Sequence, residues 1–93
     1  MEIKPGDDVL VRCGIMRPIH PMNGEYYTML ELQHMVGGNV EIITMGDKVL
    51  VVDEDGKLKG KLPNQIATGW LIMDGYNDFV AGDAALINRK HIH

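Results

Sequence analysis

Lys57, Lys59 and Lys61 stand at every second position of a chain that otherwise carries an acidic excess. On an extended strand this spacing puts three ammonium groups on one face, and Lys48 is expected to join them from the strand alongside. With the apolar Ile43, Leu50 and Val52 at its centre, such a face suits a small anion carrying an apolar group. Asn64, Gln65 and Thr68 would add hydrogen bonds, and Trp70 a stacking surface. The candidate ligand site is therefore Lys57, Lys59, Lys61, Asn64, Gln65, Thr68 and Trp70. A plainer reading of the same lysines is protection of an edge strand against aggregation.

Other chemistry finds less support. The acidic turn Asp53-Glu54-Asp55-Gly56 has Lys57 at the fifth and Asn64 at the twelfth position counted from Asp53, which breaks an EF-hand calcium loop. His20, His34, His91 and His93 share no ligand spacing with one another or with Cys13, so no metal site is expected. Cys13 closes an apolar strand, where a buried and inert thiol is usual, so its pairing with His20 or His34 as nucleophile and base is not expected. Gly37-Gly38 ends a helix, whereas a phosphate-binding glycine loop opens one. No cofactor and no catalytic activity are expected.

The elements that must hold these residues follow from hydrophobic pattern and turn chemistry. Val9 to Cys13 reads as a strand and residues 14–25, with Pro18 and Pro21, as a loop. Thr28 with Glu31 forms a capping box, Met29, Leu32, Met35 and Val36 share a helical face, and Gly37 stops the helix, which predicts a helix over 28–36. Two strands, Val40–Met45 and Lys48–Asp53, flank Gly46-Asp47 as a type II′ hairpin. Asp55-Gly56 reads as a type I′ turn returning Leu58–Leu62 as a third strand, completing a meander over 40–62. Its register opposes Met45 to Lys48, Ile43 to Leu50 and Glu41 to Val52. The core face would then carry Val40, Ile42, Thr44, Val49, Val51, Leu58 and Leu62. Pro63 opens a short helix through Thr68, Gly69 weakens it, and Trp70–Met73 reads as extended. Phe79–Ala81 and Ala84–Ile87 read as strand.

Three pieces in order, Leu30 to Gly38 ending in Val-Gly-Gly, Val40-Glu41, and Val51 to Leu58 leading into Leu62-Pro63-Asn64, resemble the domain-of-unknown-function family numbered 3846. Gly82-Asp83-Ala84 fits the close of its pattern, and the resemblance spans Glu25 to Ile87. It implies a small α+β fold in a phage, bacterial or mobile-element setting and brings no established activity. Members often have Asn-Arg after Leu-Pro; this chain has Asn64-Gln65, so no anion-binding arginine is carried over.

Length and charge bound the rest. Ninety-three residues make one domain, 1–93, with 1–8 and 88–93 expected to fray. Nine basic against thirteen acidic side chains argue against a polymeric nucleic-acid partner. One cysteine, no signal-peptide features in Met1–Gly6 and apolar runs too short for a membrane span lead us to expect a cytoplasmic protein, and the family resemblance implies that the cytoplasm is that of a bacterial host. A chain this short buries only roughly 60–65% of its unfolded surface. Little then remains to cover Ile43, Met45, Leu50 and Val52, so these four are expected to form a homo-oligomer interface. The expected fold is α+β, with the meander, N- and C-terminal strands and one to two short helices. The expected function is non-enzymatic binding, as an oligomeric sponge for a small anionic, nucleotide-derived immune signal or, alternatively, as an inhibitor or accessory factor acting on a host protein.

Overall fold

The computed structural model describes residues 2–93. Five strands form one antiparallel sheet: β1 (Asp8–Arg12), β2 (Ile15–Ile19), β3 (Val40–Met45), β4 (Lys48–Asp53) and β5 (Ala84–Asn88), in the order β2-β1-β5-β4-β3. Helix α1 (Met29–Val36) lies on one face and α2 (Gln65–Met73) on the other. This is a small α+β domain. Among the described residues no helix is long and apolar enough to cross a membrane.

Alternation along the strands divides the core in two. Leu10, Val49, Val51, Ala85 and Ile87 point toward α1, where they meet Tyr27, Leu32 and Val36. Leu50, Val52 and Ala84 point the other way, against Ala67 and Leu71 of α2 and Val80. Ile43 and Met45 pack on this second cluster. The face expected to need another subunit is thus closed from within the chain, because α2 is longer than the sequence suggested. Gly69 costs an isolated helix about 1 kcal/mol, yet α2 runs straight through it to Met73. Burial of Ala67 and Leu71 against the sheet outweighs that penalty.

The local expectations for α1 and the β3–β4 hairpin hold. Thr28 and Glu31 form both halves of the capping box, Gly37 is left-handed at φ 73°, and Met45, Ile43 and Glu41 oppose Lys48, Leu50 and Val52. Three other expectations are corrected. Residues 15–19 are a strand: β2 is an edge, where Pro18 is tolerated because its missing amide faces outward. Cys13 is exposed; with Gly14 it makes the two-residue β1–β2 turn, both at positive φ. The third meander strand is absent, since Glu54–Gly60 coils through successive turns, leaving Leu58 and Leu62 89% and 83% exposed. The neighbour of β4 is β5.

The C-terminal segment is docked rather than frayed. Asp8 is buried and accepts hydrogen bonds from the Tyr27 hydroxyl (2.7 Å) and from the Asn88 amide and side chain (2.8 and 2.6 Å). His91 Nδ1 lies 2.6 Å from the same carboxylate. The Tyr27 amide donates to the His91 carbonyl and Ile92 packs on the α1-side core. Burial would raise the Asp8 pKa, but the Asn88 amide and then Tyr27, the Asn88 side chain and His91 bring it below the usual carboxylate value. Burial first, then Asp8, pushes the Tyr27 hydroxyl upward.

Candidate functional site

The lysine row does not form a common face. Asp53 ends β4, its Oδ1 accepts from the Asp55 amide (2.9 Å), and the chain turns at once. Gly56 packs so tightly on the Ala81 carbonyl that a Cβ there would collide with it. Lys59 and Lys61 are folded back onto the buried Asp53 carboxylate, at 2.9 and 2.6 Å. Both also reach the C-terminal carbonyls of α1: Lys61 Nζ donates to Val36 O at 2.8 Å, and Lys59 to Gly37 O at 3.4 Å. Cations at a helix C-terminus oppose its dipole. Burial would raise the Asp53 pKa; Lys61, Lys59 and the Asp55 amide outweigh it and bring it down to about 2.

The glycines of the conspicuous motifs are explained by this clip. A Cβ on Gly38 would meet the Lys59 amine and lie 2.8 Å from the Asp53 carboxylate. A Cβ on Gly82 would lie 2.7 Å from the Lys61 stem. Lys57 stands apart, paired with Asp78 and 4.5 Å above the Phe79 ring.

Beside the clip, at the end of the sheet where α1 stops and α2 begins, lies a groove of about 720 Å³. The β1–β2 turn, the last turn of α1, the run Lys61–Ile66 and Gly82-Asp83 form its walls. Asn64 ties these parts together. Its Oδ1 caps the Ala67 amide (3.0 Å), while its Nδ2 donates to Gly82 O (3.0 Å) and Val11 O (3.3 Å). Among the described residues the amides of Gln65 and Ile66 have no partner, as expected for the first turn of a helix. Charges around the groove are matched: Arg12 bonds Asp83 at 2.6 Å and Lys61 is held by Asp53.

Of the seven residues expected at a ligand site, Lys61, Asn64 and Gln65 come together here. Lys59 belongs to the adjoining clip. Thr68 is used internally, its hydroxyl accepting from the Val80 amide at 2.9 Å. Trp70 lies on α2 beside a separate cavity of about 300 Å³ with Met45 and Met73, and Lys57 is elsewhere. Sequence reasoning missed Cys13 and His34 on the groove wall. The available signal was Cys13-Gly14 as a two-residue hairpin turn between apolar runs. Cys13 is exposed on this wall and is not hydrogen-bonded to His34.

An antiparallel five-stranded sheet with one helix on each face, and a groove where motif segments distant in sequence meet, defines a small α+β domain. The chain belongs to the family described as a domain of unknown function (DUF3846), whose model matches residues 11–91. Searches of curated proteins and of solved structures return no match.

Proposed function

We propose that this chain is a non-enzymatic binding protein that holds a small anionic ligand of nucleotide size in the groove between α1 and α2. The observation that carries this reading is the convergence of Gly37, Lys61-Leu62-Pro63-Asn64 and Gly82-Asp83 on that one concavity. Its volume falls within the range typical of ligand sites. An anionic group would meet the unpartnered Gln65 and Ile66 amides at the positive end of α2, with Lys61 beside it, and an apolar group would rest on Val36, Leu62 or Ile66. The groove is built from a single chain, so sequestration needs no second subunit. In a phage or mobile-element setting such a binder would sequester a nucleotide-derived immune signal.

A thermal-shift panel of mono-, di- and cyclic nucleotides tests the proposal. A stabilising shift that weakens with salt and is lost in Gln65→Glu is expected; no shift across the panel overturns it. A host protein as partner is the second reading, favoured by the exposed Leu58 and Leu62. It predicts instead a copurifying protein that is lost in the Leu58→Ser/Leu62→Ser double variant.

A further inference from the structure

The two edges of the sheet are unequal. In an antiparallel ladder alternate residues point their amide and carbonyl toward or away from the neighbouring strand. Along β3 this alternation is fixed at both ends. The Glu54 amide donates to Asn39 O at 2.8 Å, and the Tyr76 hydroxyl donates to Thr44 O at 2.9 Å from outside the sheet. With Asn39, Glu41, Ile43 and Met45 turned toward β4, the backbone groups of Val40, Ile42 and Thr44 face outward. The other edge, β2, turns Met16 and Pro18 outward, so it offers the single amide of Met16, and Arg17 adds a charge beside it. Edge strands are usually blunted by proline, charge or bulges. β2 is blunted by proline; β3 has six residues, no proline, no bulge and one charge, Glu41. Ile42, in the middle of β3, is 40% exposed.

We propose that β3 pairs with β3 of a second copy about a twofold axis, joining two five-stranded sheets. The sequence selects the register. Centred on Ile42, the pairing sets Ile42 opposite the partner's Ile42, Val40 opposite the partner's Thr44, and Glu41 opposite the partner's Ile43. The amides of all three outward-facing residues and the carbonyls of Val40 and Ile42 are then placed to pair, for about four backbone hydrogen bonds, the Thr44 carbonyl staying with the Tyr76 hydroxyl. Centring on Glu41 would set two carboxylates face to face and destabilise the pair. Centring on Ile43 uses only Ile42 and Thr44. The occupant is a second copy because this edge complements itself: an apolar residue at the axis and its only charge placed off it. The interface lies on the opposite side of β4 from β5 and does not involve the groove, so it stands or falls separately from the proposed ligand.

Light scattering between about 10 and 300 µM tests the pairing, since association follows mass action. The mass is expected to approach twice the 10.4 kDa of one chain. Ile42→Lys, which sets two ammonium groups against each other at the axis, should return it to that of a single chain with unchanged far-UV circular dichroism. Ile42→Cys in a Cys13→Ser background should crosslink under mild oxidation, because hydrogen-bonded pairs place Cα atoms about 5.5 Å apart, within disulfide reach. A single-chain mass throughout the concentration range overturns the proposal. So does a dimer that persists in folded Ile42→Lys, or an Ile42→Cys variant that stays uncrosslinked.

Discussion

Asp53→Asn keeps the side-chain shape and removes the charge that holds Lys59 and Lys61. In the folded chain the Asp53 pKa falls from its ordinary 3.8 to about 2, which at 1.36 kcal/mol per unit is about 2 kcal/mol of stability at neutral pH. The Lys59 and Lys61 side chains are 41% and 26% exposed, so their ammonium groups can reach water once the carboxylate is gone. That keeps the loss below the ~3–5 kcal/mol of breaking a fully buried pair. The folded pKa lies below the unfolded one, so this contribution is complete above about pH 4 and disappears as the pH falls toward 2. Urea unfolding of both proteins at several pH values measures it. At pH 7 the variant's midpoint should fall by about 1–2 M with m unchanged, and the gap should close between pH 4 and 2. Asp8, also lowered, is common to both proteins and cancels in the difference. Equal midpoints at pH 7, or a gap that stays constant down to pH 2, would refute the reasoning.

Gly56→Ala forces a Cβ onto the Ala81 carbonyl and should cost about 1–3 kcal/mol in urea unfolding. Tyr27→Phe removes one of the hydroxyl, amide and ring donors that satisfy buried Asp8, and should lower stability by about 1–3 kcal/mol at pH 7. That loss should shrink on acidification below about pH 4, because the Asp8 pKa is depressed in the folded state. Thr28→Ala removes the α1 cap and should cost about 1 kcal/mol, read as a lower melting temperature. Lys57→Ala breaks only an exposed pair and should change stability by less than about 1 kcal/mol.

What could be read without coordinates was what short range controls. The α1 cap needs only Thr28 and Glu31, and the β3–β4 register only Gly46-Asp47 and the alternation beside it, so both were legible. The lysine row was misread because period two implies one face only if the backbone is extended. The Asx turn at Asp53 and the packed Gly56 end that extension. α2 was cut short because Gly69 weakens a helix and Trp70–Met73 reads as extended; the apolar surface of Leu50 and Val52, which rewards the longer helix, is invisible in the local sequence. Without that helix the same surface looked like an interface. Of the groove, Asn64 and Gln65 were legible on the helix opened by Pro63, and Lys61 only as a member of the lysine row. Cys13, His34 and Asp83 were not, because only the closed sheet brings them to the same end.

The strand that comes fifth in the chain is third in the sheet. Each hairpin, β1–β2 and β3–β4, can form from its own neighbourhood, yet neither touches the other until β5 slides between them. Pairing Val11 with Ala84 closes a loop of roughly 70 residues, a closure that neither hairpin prepares. Contacts of that range slow folding. The two hairpins therefore depend on a shared keystone, and damage to Ala84–Asn88 should unfold the whole sheet rather than one half of it, since an isolated two-stranded hairpin is only marginally stable.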